Sequence, residues 1–380
     1  MDYSKESLKK HLDKQGKIEI KSKFGKVRSK EDLSIAYTPG IAAVSNHLYK
    51  NPEDSKLYTI KGNTIAVISD GSAVLGLGNI GPLGALPVME GKALLFKEFA
   101  NVNAYPIVLN TQDTEEIIKT ILAIAPTFGG INLEDISAPR CFEIEDRLKA
   151  ILDIPVMHDD QHGTAVVILA ALINSIKIVK KAKENVAIVI SGAGAAGIAT
   201  ANLLKLYGIN NIIVVDSKGI ISKKRKDLNS FKKLLSKTTN PNSISGNLEK
   251  ALIGADIFSG VSAANIVTGK MVKSMARKPI IFAMANPTPE IDPLVAKKAG
   301  AYIVGTGRSD YPNQINNVLA FPGIFKGALD NNVKSITDEM KIKAAYAIAN
   351  CVSSQNLSSD FILPSALDRR VASKVAKTIC

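Results

Sequence analysis

Two pairs of adjacent acids stand out for what they could do together: Glu134-Asp135, after the apolar run GGINL, and Asp159-Asp160, inside MHDDQHGTA. An adjacent acid pair is commonly a helix cap or an exposed loop, and either pair alone supports that reading. Two pairs at the ends of parallel-type strands, the edge where open α/β sheets place ligands, point instead to a gathered set. Gathered carboxylates repel one another unless a cation neutralises them. An all-oxygen donor set suits Mg²⁺ or Mn²⁺ better than zinc or copper. His158 and His162 flank the second pair. They could be ligands, but neither has a helical His partner of zinc type, so a structural role through hydrogen bonds behind the acids is the preferred reading. Lys92, in MEGKALLFK, reads as a snorkelling surface side chain, or, if buried beside a metal, as a base with a depressed pKa. Tyr37, before the Pro39-Gly40 turn of AYTPG, reads as an anchored core or surface aromatic.

A second chemistry is written in residues 186–216. Val186–Ile190 is a β-branched apolar run, and Gly192, Gly194 and Gly197 form G-x-G-x-x-G. Ala195–Tyr207 is apolar at helical spacing, and the run Ile212–Val215 stops at Asp216. The first glycine permits a tight turn, and the second lets backbone amides approach a pyrophosphate. The third lets the helix pack on the strand, with its positive N-terminus toward the phosphates. Strand, turn, helix and second strand in this order, ending in an acid, imply dinucleotide binding. Asp216 can accept from a ribose 2′-hydroxyl and would repel a 2′-phosphate, which favours NAD. Lys218 and the run Lys223–Lys226 could offset that repulsion, so NADP stays possible.

The elements that position these residues follow from periodicity. Helical patterns occupy Lys5–Lys14, Gly84–Ala100, Thr114–Ala125 (opened by Thr-x-x-Glu-like capping) and Phe142–Leu152. Strands are expected at Thr64–Ser69, Tyr105–Leu109, Gly130–Leu133 and Pro155–Met157. Gln161–Lys181 is a long apolar helix bridging into a second unit. There, strands at Asp256–Ser259, Pro279–Ala283 and Ala301–Val304 extend a doubly wound parallel sheet. Helices Thr337–Cys351 and Pro364–Thr378 should pack back across both units. The expected fold is therefore α/β: an N-terminal α/β domain over 1–160, a Rossmann-type domain over 161–335, and C-terminal helices over 336–380.

Composition narrows the class. A chain of 380 residues can bury a large core. Its formal charge of +13 could suit nucleic acid, but the lysines are scattered and there is no Trp, so no nucleic-acid partner is expected. The dense run Lys223–Lys226 reads as a solvated loop. No uncharged apolar run is long enough to cross a bilayer, and the start MDYSKESLKK is a polar helix without a signal-peptide core, so no membrane partner is expected. Cys141, Cys351 and Cys380 lie far apart, which fits unpaired thiols in a reducing cytoplasm.

Seven segments, LSIAYTPGIA, SDGSAVLGLGNIGPLGALPVMEGKALLFK, INLEDI, PVMHDDQHGTA, SGAGAAG, FAMANPTPE and NNVLAFPG, stand in the order in which malic enzymes show them. Across essentially its whole length the chain resembles that family in its short prokaryotic form, without the acetyltransferase-like extension of some relatives. The resemblance implies metal-dependent oxidative decarboxylation of L-malate to pyruvate and CO₂ by a cytoplasmic homodimer. Carried over position by position, Glu134, Asp135 and Asp160 would hold Mg²⁺ or Mn²⁺, with Asp159 supporting the base. Lys92 would take the malate hydroxyl proton, and Tyr37 would protonate the enol. Asn286 and Asn317 would contact the substrate. Gly192, Gly194, Ala195, Ala196, Gly197, Asp216 and Asn286 would hold the cofactor. Larger animal-type relatives have an arginine before LGLG that grips a substrate carboxylate, where this chain has Ser72-Ala73-Val74. A malolactic or oxaloacetate-decarboxylating enzyme of the same fold, and a non-catalytic NAD-binding protein, are the rival readings. It is open whether Tyr37 would serve its own chain's site or a partner's.

Overall fold

A computed structural model describes residues 3–380 and shows two sheets. The first holds β1 (Thr64–Ser69), β2 (Asn103–Val108), β3 (Gly130–Leu133) and β4 (Val156–His158), all parallel, in the order β2-β1-β3-β4. The central strand β1 is buried at every residue, so it reads as a continuous apolar run rather than an alternating one. The second sheet holds β5 (Ala187–Ser191), β6 (Asn211–Asp216), β7 (Gly219–Ile220), β8 (Ile257–Gly260), β9 (Ile280–Ala283) and β10 (Ile303–Thr306), in the order β10-β9-β8-β5-β6-β7. It is parallel except for β7, a two-residue strand that folds back antiparallel on β6. The strand order reverses at β5, so the glycine turn that follows β5 opens at the switch point where such sheets bind ligands.

Helix Asp159–Val179 joins the two sheets. It starts two residues earlier than its apolar pattern suggests, so Asp159 and Asp160 occupy its first turn, at the positive end of the helix dipole. By length and composition this helix could cross a bilayer, but Ala165 to Ile173 are each at most 1% exposed within the protein. It is a core helix. One apolar cluster runs from β1 and β3 through this helix to β5 and β6 and on to the C-terminal helices. Those helices do pack back: Asp338–Ala349 lies on Asp159–Val179, and Phe321–Asp330 bridges Arg370–Ala376 to helix Gly81–Ala100.

Several boundaries differ from expectation for local reasons. The expected helix Pro364–Thr378 begins only at Arg370, because Ser365 and Asp368 accept backbone N–H bonds in preceding turns. Helix Thr114–Ile124 is capped by Asp113, whose carboxylate accepts from the Glu116 N–H, and not by a threonine. The last strand sits two residues late, since the chain turns at Gly300 and Ala301 first.

Candidate active site

The first sheet ends in a cleft of about 820 Å³ facing the second, lined by Lys92, Glu134, Asp135, Asp160, Thr164, Asn286, Asn317 and Phe321 among others. Lys92 projects from helix Gly81–Ala100, and its Nζ lies 2.6 Å from Asp159 Oδ2 and 2.9 Å from Glu134 Oε1. The ammonium also sits 4.1 Å from the Phe321 ring centroid, where the ring face favours a cation. Burial alone would lower the Lys92 pKa, but Asp159 and Glu134 outweigh it and hold the ammonium well above its ordinary value. The depressed lysine expected beside a metal is therefore not what these protein groups alone produce.

Behind Lys92, the Asn317 amide donates to Asp159 Oδ2 at 3.0 Å and bonds the Thr164 hydroxyl. Glu134 is held by the Asn132 amide at 2.9 Å, and Asp160 accepts from the Asp135 backbone N–H at 2.7 Å. One oxygen from each of Glu134, Asp135 and Asp160 falls within 4.8 Å of the others, and Asp135 Oδ2 is buried without a hydrogen-bond partner. A buried anionic oxygen left unmatched is costly. Burial, then Asp160, push the Asp135 carboxyl up to about 7. Burial, incompletely offset by Lys92, also raises Glu134 well above the carboxylate range. Three crowded, partly unsatisfied carboxylates with only oxygen donors fit a hard divalent cation.

The two histidines stand behind these acids. His158 is fully buried, with Nε2 3.3 Å from Asp160 Oδ2, and the pull of Asp160 lifts its pKa against burial. His162 Nε2 meets Glu145, a buried carboxylate that sequence reasoning missed. Glu145 also takes the His158 N–H, the Gln161 amide and Lys149. Although burial opposes it, His162 and Lys149 hold the Glu145 carboxyl well below its ordinary value. This anchor fixes the turn that presents Asp159 and Asp160, and nothing near Glu145 in the sequence signals it.

A second cavity of about 640 Å³ opens at the glycine turn, lined by Gly192, Gly194, Val215, Asp216, Asn229, Lys232 and Ser262 among others. Gly192 has φ +113°, a conformation that favours glycine, and a Cβ on Gly197 would lie 1.8 Å from the Gly192 carbonyl oxygen. Ala195 begins helix Ala195–Tyr207, and Ala196 reaches the acidic cleft, so the two cavities meet at this helix. Asp216 is not a free acceptor. Arg225 and Lys232 each approach it to 2.7 Å, and the Lys218 N–H donates to it. The expectation of a solvated loop at Lys223–Lys226 fails for Arg225, whose side chain is 15% exposed and also pairs with Asp227. Glu290 is a further buried carboxylate not anticipated. It accepts from the Ser262 and Ala285 N–H groups and so ties the loop bearing Asn286 to the end of β8.

One candidate lies apart. Tyr37 is 67% exposed and does not line the cleft.

A dinucleotide fold whose glycine turn faces a cleft of acids and one buried lysine defines a nicotinamide-nucleotide oxidoreductase of the Rossmann class. Family models agree and go further: residues 15–149 match the malic enzyme N-terminal domain, and residues 161–380 match the malic enzyme NAD binding domain. The chain belongs to the malic enzyme family. It is 53% identical over 380 residues to the bifunctional malic/malolactic enzyme of Bacillus subtilis, covering all of this chain and 92% of that one. It is 55% identical over 364 residues to the NAD-dependent malic enzyme of Geobacillus stearothermophilus, covering 96% and 76%. The crystal structure of the NAD-dependent malic enzyme of Thermotoga maritima superposes with a TM-score of 0.94 at 49% identity, covering 98% of each chain.

Proposed function

We propose that this protein oxidises and decarboxylates L-malate to pyruvate and CO₂, reducing NAD or NADP, in the cytoplasm. The observation that carries the reading is Lys92 Nζ, buried between Asp159 and Glu134 at the edge of a three-carboxylate cluster. Glu134, Asp135 and Asp160 would hold a divalent cation, which when bound lowers the pKa of the substrate hydroxyl and polarises the carbonyl that replaces it. Glu134 cannot fully serve both a cation and Lys92. Engaged as a ligand, it would loosen its hold on the Lys92 ammonium, leaving Asp159 as the main partner of Nζ. Once its ammonium proton has passed to solvent, Lys92 would take the C2 hydroxyl proton with Asp159 orienting Nζ, and a bound nicotinamide would supply the acceptor for the C2 hydride. The C3–C4 bond of the resulting oxaloacetate breaks, CO₂ leaves, the electron pair forms the C2=C3 bond, and the C2 oxygen takes back the proton from Lys92 to give the enol of pyruvate. The family resemblance assigns the proton delivered to C3 to Tyr37, which would have to be brought to the cleft from its exposed position. Asn317, fixed by Asp159 and Thr164, orients the substrate, and Asn286 faces it from the second sheet.

Both nicotinamide cofactors fit this reading. Asp216 alone would select NAD, but Arg225 and Lys232 already balance its charge and could turn to a 2′-phosphate. A second reading, release of lactate as well as pyruvate, is favoured by kinship with the bifunctional malic/malolactic enzyme of Bacillus subtilis.

The test is nicotinamide reduction with L-malate, using NAD and NADP in turn, with and without Mn²⁺, with pyruvate and lactate assayed alongside. Metal-dependent reduction matched by pyruvate is expected with both cofactors. Lys92→Ala should lower turnover about a hundred- to ten-thousand-fold, the usual worth of a positioned acid–base group. Unchanged turnover in that variant would sink the assignment.

A further inference from the structure

We propose that Phe142, clasped by Phe231, is a wall of the cofactor cavity, so that the half of the chain built on the first sheet grips the ADP-ribose part of the nicotinamide nucleotide. The cavity at the glycine turn is not made by the second sheet and its helices alone: Ala138, Pro139 and Phe142 line it together with Gly192 and Asp216. These three residues stand at or just before the start of helix Arg140–Ile151, which packs on β4. Leu248 and Ile266 add apolar surface from the other half of the chain. A purine is flat and apolar on both faces, and an aromatic ring is well suited to meet it.

Phe231 supplies the backing. The two ring centroids lie 4.5 Å apart with the planes at 40°, and Phe142 is 6% exposed. Phe231 lies in the first turn of helix Ser230–Thr238, between Asn229 and Lys232, which both line the cavity. Lys232 also approaches Asp216 to 2.7 Å. In folds with this glycine turn, the acid that ends the second strand takes the adenosine ribose. The ring pair therefore joins the two halves of the chain beside the place where the adenosine end of a dinucleotide would lie.

This wall is held in place from several sides. Arg140 donates to Asp70 Oδ2 at 2.9 Å and to Ser137 Oγ at 3.1 Å, and Asp70 is fully buried. The Ser137 N–H in turn donates to Ser72 Oγ. One turn past Phe142, Glu145 accepts from the His158 N–H and the Gln161 amide. A binding surface fixed by its own packing and hydrogen bonds loses little freedom when a ligand arrives. Phe142 lies outside the lining of the acidic cleft, so its contact would hold ground state and transition state alike. Loss of such uniform binding raises KM rather than lowering kcat. The inference rests on dinucleotide binding at the glycine turn.

The experiment titrates ADP-ribose and NAD by calorimetry into the wild type and three variants, with neither malate nor metal present. Phe142→Ala should weaken both ligands about tenfold, and Phe231→Ala, which removes only the backing, about threefold. Leu148→Ala is the control, because Leu148 is fully buried on the same helix and does not line the cavity. It should lower Tm yet leave both affinities within about twofold. In turnover, Phe142→Ala should raise the cofactor KM far more than it lowers kcat, with little change in the malate KM. Wild-type affinity in Phe142→Ala or in Phe231→Ala would overturn the proposal, as would an equal loss in Leu148→Ala. Phe142→Leu takes the place of Phe142→Ala if the latter does not fold, with a loss of about threefold expected. A wild type that binds neither ligand would remove the dinucleotide reading itself.

Discussion

Asp135 shows what a single residue can state about a site. Its backbone N–H is spent on Asp160, while one carboxylate oxygen is buried with nothing to meet it. Burial of an unmatched anionic oxygen persists only where something else compensates. A divalent cation would supply that compensation, at the expense of part of Glu134's hold on Lys92. Asp135→Asn keeps the shape and removes the charge, so Mn²⁺ affinity measured by calorimetry should fall at least about tenfold. An unchanged affinity would remove Asp135 from the ligand set. Asp216 teaches the opposite lesson, since an acid that looks like a ribose acceptor is already occupied by Arg225 and Lys232. Its identity alone does not decide between NAD and NADP.

At the scale of elements, helix Asp159–Val179 does most of the positioning. Its first turn presents Asp159 and Asp160, and one turn further Gly163 lies against the Asp159 carboxylate. A Cβ there would sit 1.9 Å from Asp159 Oδ1, an impossible separation. Residues four apart share a helix face, so the clash has no route of escape except moving Asp159. Gly163→Ala should therefore displace Asp159 from Lys92 and cut turnover about a hundredfold or more, with the circular dichroism spectrum preserved. Wild-type turnover in Gly163→Ala would show that the Lys92–Asp159 contact does not matter to the chemistry. Across the cleft, Glu290 fixes the Asn286 loop through two backbone N–H groups, as Glu145 fixes the helix start through one backbone N–H and the side chains of Gln161, His162 and Lys149.

At the scale of the molecule, the two sheets are not independent bodies joined by a tether. A single apolar core passes through helix Asp159–Val179, and the C-terminal helices close back onto helix Gly81–Ala100. The sequence-level division at residues 160 and 335 marks changes of pattern, not breaks in packing. The expected consequence is one cooperative calorimetric transition, with equal calorimetric and van't Hoff enthalpies. Two resolved transitions would show that the sheets unfold separately. A nicotinamide cofactor in excess should raise that transition as a whole, because it binds only the folded state.

Elements and chemical inventory were legible from local pattern. Apolar runs, glycines and adjacent acids are local signals, and they placed β1 to β6, the glycine turn and the Glu134 and Asp159 pairs within a residue or two. The sequence also exposed the family resemblance, because whole segments stand in a fixed order. Which charges meet was not legible there. Lys92 on Asp159, Arg225 and Lys232 on Asp216, and Glu145 beneath His162 are contacts between residues 9 to 67 positions apart, and no periodicity encodes them. The structure likewise put Tyr37 outside the cleft of its own chain, since a side chain's address depends on what its segment packs against. Local pattern fixes the backbone; electrostatic environment and long-range packing, which set pKa and reach, exist only once the chain has folded.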